Sequence, residues 1–386
     1  MAIKTTAAQE ARIMAKEPAP ARHGSEKGVE LSARSKSELP PLPVIDWKAL
    51  GGKMPQLLPV KGFKSGSPLP KADVVIITWT SAEWAAFDHV FCDSQSEMTY
   101  YEKNTWNKRW LNYNRGYSKL EAPGEWSKNL TSRSPSTTLK AWGRFCYVKL
   151  GNGKKAVLFK SDMHVSTDGV NIPLIQMMKN IIEDTKAKLV LTIGTAGGAR
   201  PQDCLGSVNI TNGGHFLLSG ELKGKPFNNK TFSSTWKPKD TLLKKLSNRL
   251  MTAPVQISHL EELAKKLKGG SLPLKKLINI EITPGHIKPV SNTLRIPVLT
   301  TNGFVIGTTD GKYKNYAAME MDDAVIGMVC NQEKTNFAVV RNISDPVQNA
   351  SLPFKAQKNW GGAIYTAYGI YTSYNGALCA WAIASA

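Results

Sequence analysis

From Ala72 onward, short apolar runs alternate with amphipathic stretches. Asp73-Val74-Val75-Ile76-Ile77, Ala156-Val157-Leu158-Phe159 and Leu189-Val190-Leu191-Thr192-Ile193 are continuous and rich in β-branched residues, the pattern of strands buried on both faces. Ile172 to Asp184 has helical spacing and falls between the second and third runs. Further on, Ala324, Val325, Ile326, Met328 and Val329 predict a buried helix over Asp322 to Asn331. Asn331 to Thr335 reads as a loop, and Asn336 to Ile343 as another buried strand that Ser344-Asp345-Pro346 ends. Ala363 to Ala386 carries no charge but holds Thr366, Thr372, Ser373, Asn375, four tyrosines and two glycines, which predicts the closing helix of a globular domain and not a bilayer span. Strands alternating with helices predict an α/β domain of three layers, with helices on both faces of a mixed, largely parallel sheet.

Residues 1–70 depart from this texture. They are rich in Ala, Pro, Ser, Lys and Glu without a sustained period, and are expected to form a flexible basic leader ahead of one catalytic-sized domain over 71–386. Apolar pieces of the leader, such as Leu42-Pro43-Val44-Ile45-Asp46-Trp47, suit docking on that domain or on a partner. Two basic insertions interrupt the domain, near 93–140 and 220–280. In the first, Trp106 to Tyr117 interleaves aromatics with cations, a texture suited either to stacking on bases or to packing down with solvated charges. The second places Lys244, Lys245, Lys265, Lys266 and Lys268 in amphipathic patterns, which reads as a solvated face.

With 50 Lys and Arg against 30 Asp and Glu, the net charge of +20 points to a polyanionic partner without choosing among nucleic acid, a phosphorylated small molecule and an anionic surface. Five scattered cysteines form no metal-ligand spacing, which argues for a reducing compartment and against structural zinc. Met1 to Lys36 has no apolar run of signal-peptide type, so a cytoplasmic location is expected, with no membrane segment, metal or cofactor.

The candidate chemistry lies in acids at strand and helix ends. Glu320-Met321-Asp322-Asp323 sits at a predicted helix N-terminus, where negative charge is favoured. Asp345 stands at a strand C-terminus, where open α/β sheets place their ligands. Each alone has a plain structural reading, Asp322 as a helix cap and Asp345 as a turn residue before Pro346. A third acid, Glu83, follows the first strand through Thr78-Trp79-Thr80-Ser81-Ala82. After the strand at Leu189, Gly194-Thr195-Ala196-Gly197-Gly198 reads as a glycine-rich turn whose backbone N–H groups approach a ligand; it has neither Walker A nor GxGxxG spacing.

Taken in order, TxxxAE after a strand, GTAGG after a strand, Thr301-Asn302-Gly303-Phe304, Glu320-Met321-Asp322 at a helix start and Arg341-Asn342-Ile343-Ser344-Asp345 at a strand end resemble the purine nucleoside phosphorylase and methylthioadenosine nucleosidase superfamily. The resemblance spans Ala72 to Ser385 and implies a phosphorylase-like fold. It implies that Asp345 protonates N7 of a departing purine, oriented by Arg341 and Ser344. It implies that Met321 packs on the sugar and that Asp322 accepts the ribose hydroxyls and stabilises the cationic sugar, with Glu320 sharing the role. Asp322 departs from the family's glutamate by one methylene, which leaves the sugar preference open. Phe304 would stack on the base, and Thr195 and Gly197 would contact substrate.

The resemblance also separates hydrolysis from phosphorolysis. The phosphorylases carry a Gly-Asp-Pro-x-Arg-like turn after the first strand and an Arg just before the glycine turn, where this chain has Thr78 to Ser81 and Thr192-Ile193. A glutamate in the position of Glu83 activates water in the nucleosidases, so N-glycosidic hydrolysis is expected. The basic insertions and the ending Ile343 to Asn349 look more like members that cleave adenine from ATP in antiphage defence; Lys108, Arg109, Arg115 and Lys160 are then the candidate contacts for the 5′-phosphates. A homo-oligomer, and control by a partner or second messenger, are expected on the same ground. Two other readings stand beside this one: a phosphate-dependent purine nucleoside phosphorylase, and a nucleic-acid-binding protein on a decayed enzyme fold, the intact acids arguing against the last. His164 and His215 are expected to be packing or supporting residues near the sheet edge.

Overall fold

The computed structural model describes residues 41–98, 109–117, 142–166, 170–200, 203–246, 249–250, 295–303, 313–345 and 354–386. Within these, the side chains of Ser81, Asp240, Asp345 and residues 354–367 lie outside the description. The described strands form one mixed sheet, in the chain order β1 Gln56–Leu57, β2 Val74–Thr78, β3 Leu111–Tyr113, β4 Gly143–Lys149, β5 Lys155–Ser161, β6 Leu189–Gly197, β7 Val208–Thr211, β8 Gly213–Leu217, β9 Thr231–Ser233, β10 Val298–Thr301, β11 Met319–Glu320 and β12 Asn336–Asp345. The described α-helices are α1 Ser81–Cys92, α2 Leu174–Thr185, α3 Asp240–Leu246, α4 Asp323–Gln332 and α5 Phe354–Ala384.

The centre of the sheet is parallel. β5, β2, β6 and β12 are hydrogen-bonded side by side in one direction, with Val74 opposite Leu189 and Asn336 opposite Leu189 on its other flank. These are the strands that the apolar runs predict, because a parallel strand covered on both faces has no polar side to show. β4 and β7 close the parallel block in antiparallel pairing, and β8, β10 and β11 form a second parallel set that joins β6 at Gly197.

Alternate residues of each strand feed two cores, as the period of two requires. Val74, Ile76, Leu158, Leu191 and Val340 pack with α1 and α5 on one face. Val75, Ile77, Phe159, Val190 and Val339 pack with α2 and α4 on the other, giving the three layers. α5 is the closing helix expected from the uncharged C-terminal stretch; among the described residues no helix is long and apolar enough to cross a membrane.

The leader boundary at residue 70 is corrected by the packing of residues 41–52. Leu42, Ile45, Trp47 and Leu50 are buried in the α1/α5 core, and Leu42 bridges Met98. The segment shows no period because it is a strap held by single anchors. Trp47 donates its indole N–H to Ser94 Oγ at 2.9 Å and packs its ring 4.7 Å from that of Trp381. Gly52 is fixed by the same contact, since a Cβ there would lie 2.3 Å from the Trp381 ring.

The first basic insertion also packs where the chain is described. Trp110 is buried, donates to Asp88 Oδ1 at 2.7 Å and meets Trp84 edge-on at 5.5 Å, while the Tyr113 hydroxyl donates to Asp184. These two aromatics are core residues and not platforms for bases. Residues 99–108, 118–141 and 251–294 of the two insertions lie outside the described residues. Replacing Trp47 by Ala is expected to lower unfolding free energy by about 3–5 kcal/mol, read as a shifted denaturation midpoint at unchanged slope, with Trp47→Phe retaining more than half of the loss.

Candidate active site

The C-terminal ends of β2, β6 and β12 bring the predicted acids together around one buried guanidinium. Arg341, in β12, is 3 % exposed. Asp323, the first residue of α4, grips it bidentately, at 2.7 Å to Nε and 2.7 Å to Nη2. Glu320 Oε2 lies 3.3 Å from Nη2, the Thr195 carbonyl 3.3 Å from Nη1, and the Trp79 ring covers the guanidinium at 5.1 Å. Burial alone would lower the proton affinity of Arg341; the charge of Asp323, its hydrogen bonds, and then Glu320 and Glu83 outweigh it and raise the pKa above the ordinary arginine value.

Glu83 reaches this cluster from the other side. Its Oε2 accepts from Thr78 Oγ1, Trp79 N and Thr80 N at 2.9–3.0 Å, and its Oε1 accepts from Thr195 N at 2.8 Å and Thr195 Oγ1 at 2.7 Å. Thr80 caps α1 and Glu83 closes a capping box with it, a T-x-x-E signature visible in the sequence. Between Glu83 and Arg341 stands Gly194, where a Cβ would lie 2.3 Å from Arg341 Nη1 and 3.0 Å from Glu83 Oε1. Any side chain there would push the acid and the cation apart.

The expected glycine-rich turn is corrected by the same geometry. Residues 194–197 continue β6 as a strand, paired with β12 from Gly194↔Arg341 to Gly197↔Asp345 and touching β11 at Gly197. The N–H of Thr195 serves Glu83 and not a ligand. Gly194 is selected by close approach of neighbouring elements.

Glu320, Met321 and Asp322 join the cluster through β11 and the start of α4. Glu320 Oε2 accepts from the N–H groups of Asp322 at 2.5 Å and Asp323 at 2.8 Å, and the Thr300 hydroxyl donates to Oε1. Glu320 therefore does the work of a helix cap; Asp322 occupies the N-cap position without a side-chain capping bond. Asp322 turns instead to the loop after β5, accepting from Val165 N at 2.9 Å and facing His164 Nε2 at 3.4 Å. Met321 is half-buried between two buried acids. Ser344 is buried at a bulge, the extra residue where Ile343 pairs with Ala196 and Asp345 with Gly197.

Asp323, Glu320 and, through its charge, Glu83 thus share one guanidinium, with Asp322 next to Glu320. Burial, and after it the charge of Asp323, pushes Glu320 up to about 7, against relief from Arg341 and Thr300. Burial and then Glu320 push Asp322 well above the usual carboxylate range. Asp345 is placed by its backbone beside Gly197, and Phe304 lies outside the described residues.

The candidate phosphate contacts do not gather at this edge. α1 and α2 run back along the parallel strands, so their last turns point away from the strand C-termini. Arg109 is held there by Asp93 at 3.1 Å, Asp88 at 3.7 Å and the Cys92 carbonyl. Arg115 is held by Asp184 and Glu183 in the last turn of α2. Lys160 does lie at the right edge, at the end of β5, but it is buried and paired with Asp162 at 2.7 Å. Lys108 lies outside the described residues. His215 hydrogen-bonds Thr231 and packs on Tyr316, and His164 faces Asp322, both in supporting places. Trp79 and Asp323 were also undervalued by sequence reasoning; Asp323 stood in the acidic run, but nothing local distinguishes it from Asp322.

Glu320 gives a signed pH prediction. Between pH 4.5 and 7 the folded state keeps a proton on Glu320 that the unfolded chain has released, so this group lowers stability as pH rises through that window. Glu320→Gln is expected to flatten that fall in the pH dependence of unfolding. Arg341→Met strands buried acids and is expected to cost about 3–5 kcal/mol, more at pH 8 than at pH 5, measured by denaturation at each pH.

No family model matches the chain. No curated protein matches it either. Solved structures similar in chain course include a 5′-methylthioadenosine/S-adenosylhomocysteine nucleosidase from Helicobacter pylori with butyl-thio-DADMe-Immucillin-A, at 12 % identity over 81 % of this chain and 98 % of that one, with a TM-score of 0.43. The enzyme of the same name from Neisseria meningitidis, in complex with methylthio-immucillin-A, is 16 % identical over 81 % and 99 %, with a TM-score of 0.39. Futalosine hydrolase of Helicobacter pylori is 11 % identical over 81 % and 96 %, with a TM-score of 0.43.

Proposed function

We propose that this protein hydrolyses the N-glycosidic bond of a purine nucleoside or nucleotide, releasing adenine. The observation that carries the reading is the cluster itself: among the described residues, Glu83, Glu320, Asp322 and Asp323 are buried at one sheet edge around the Arg341 guanidinium. Such a site is short of positive charge, and a sugar that becomes cationic as its bond to the base breaks supplies it. Asp345, at the end of β12, is assigned the proton donated to N7 of the leaving base, and Asp322 with Met321 the sugar.

Water is the proposed nucleophile. Of the described donors to Glu83, the two hydroxyls of Thr78 and Thr195 can be exchanged without breaking backbone, and Thr195, half-buried where Thr78 is fully buried, is assigned the relay. Its hydroxyl donates to Glu83 and retains lone pairs for a water proton, so the attacking water passes a proton to Thr195 as Thr195 passes its own to Glu83. Phosphorolysis is disfavoured because Arg341 is spent on Asp323 and Glu320. Adenine nucleotides stay within the proposed substrate class. Arg109, Arg115 and Lys160 are committed to acids, so ATP cleavage in a defence role calls on cations beyond them, such as Lys108.

Incubation with adenosine, methylthioadenosine, AMP and ATP, with chromatography of free base and of the sugar product, tests the reading. Free adenine with unphosphorylated C1 and no need for added phosphate is expected; ribose 1-phosphate would refute it in favour of a phosphorylase. Asp345→Asn and Glu83→Gln are each expected to lower kcat about 10²-fold or more. Thr195→Val is expected to behave like Glu83→Gln, and Thr195→Ser to keep most of the activity.

A further inference from the structure

The loop that follows β5 carries a histidine whose proton is assigned by its neighbours. Ser166 N, a group that can only donate, points at His164 Nδ1 at 3.3 Å, and Ser166 Oγ lies 3.0 Å from the same nitrogen. Nδ1 is therefore the acceptor, and the ring proton sits on Nε2, which faces Asp322 Oδ2 at 3.4 Å. The next residue, Val165, donates its N–H to the other oxygen, Oδ1, at 2.9 Å. His164, Ser166 and Asp322 are all buried.

We propose that His164 is a positioning residue of the sugar site, whose Nε2–H keeps Asp322 a two-oxygen acceptor and so makes the site select a sugar with a 2′,3′-cis-diol over its 2′-deoxy counterpart. The proposal rests on the N-glycosidase reading. A carboxylate oxygen has two lone-pair sites, so with Val165 N on Oδ1 and the His164 Nε2–H facing Oδ2, one site per oxygen stands open among the described residues, the number a cis-diol fills. A protonated Asp322 would offer a hydroxyl and one acceptor, and would tell the two sugars apart poorly. Its surroundings press toward that protonated form: burial first, and then the like charges of Glu320 on β11 and Asp323 at the start of α4. Arg341 on β12 and Val165 N oppose them, but Arg341 is gripped by Asp323. The donor on the β5 loop that answers Oδ2 is His164. The aspartate, one methylene shorter than the glutamate the resemblance predicts, is thus a short side chain fixed by two donors of one loop.

Two measurements test this. In the wild-type protein, ¹⁵N NMR with labelled histidine is expected to show His164 neutral with Nδ1 unprotonated; the opposite tautomer would overturn the proposal whatever the kinetics. Base release from adenosine and from 2′-deoxyadenosine is then compared across pH. H164F is expected to lower kcat/KM for adenosine roughly tenfold or more, to change that for 2′-deoxyadenosine less than twofold, and to move the acid limb of the adenosine profile upward, since loss of a donor favours the protonated acid. H164Q, whose amide N–H₂ reaches where Nε2 stood, is expected to restore both ratio and profile. Equal losses on the two nucleosides would make His164 merely structural and reject the proposal. Wild-type protein that frees no base from either nucleoside, nor from AMP and 2′-deoxyAMP compared in their place, would sink the glycosidase reading, and the selectivity with it; a changed ratio without rescue by H164Q would reject the donor role alone.

Discussion

A buried arginine has to be paired, and the architecture of this protein's sheet edge follows from that requirement. A guanidinium taken from water costs several kcal/mol unless its donors are met. Arg341 meets them by drawing Asp323 from α4, Glu320 from β11 and the carbonyl of Thr195 from β6 onto one group. Glu83 adds α1 to the set across Gly194, a position that must lack a side chain for the approach to occur. The cluster thereby fixes the alignment of four elements, and it gathers several buried carboxylates around one guanidinium.

The same acids also hold the fold, which limits how they can change. Glu83 closes the first turn of α1 and ties it to β6; Glu320 satisfies the first N–H groups of α4. Each is an ordinary helix-terminal acid by local geometry. Their chemistry comes from what surrounds them, because desolvation and mutual repulsion raise Glu320 and Asp322 in a way that no isolated cap would show.

The strands were legible because burial on both faces leaves an apolar run that needs no partner information. Val74 to Ile77, Leu189 to Ile193 and Asn336 to Ile343 all lie in β2, β6 and β12, with Asp345 at the end of the last. The glycine segment was legible as special but not as strand, since Gly194 makes room for Arg341 and Glu83 and the segment continues β6. The strap at 41–52 was hidden by its lack of period. The basic segment misled for a related reason: composition shows cations and aromatics but not that Asp88, Asp93 and Asp184 wait beneath them.

By itself, then, the chain determined its layers, its parallel centre and the acids at strand and helix ends, since these follow from periodicity over a few residues and from helix-terminal chemistry. Only the tertiary structure decided which acid meets which donor. Glu83 finds Thr195 at a separation of 112 residues, and Asp322 finds Val165 at 157. Hydrogen bonds over such distances leave no spacing to read, because their geometry is set by strand register and helix direction once the core has closed. Arg115 and Lys160 illustrate the outcome: one sits against the last turn of α2 and the other at the end of β5, and each is claimed by an acid.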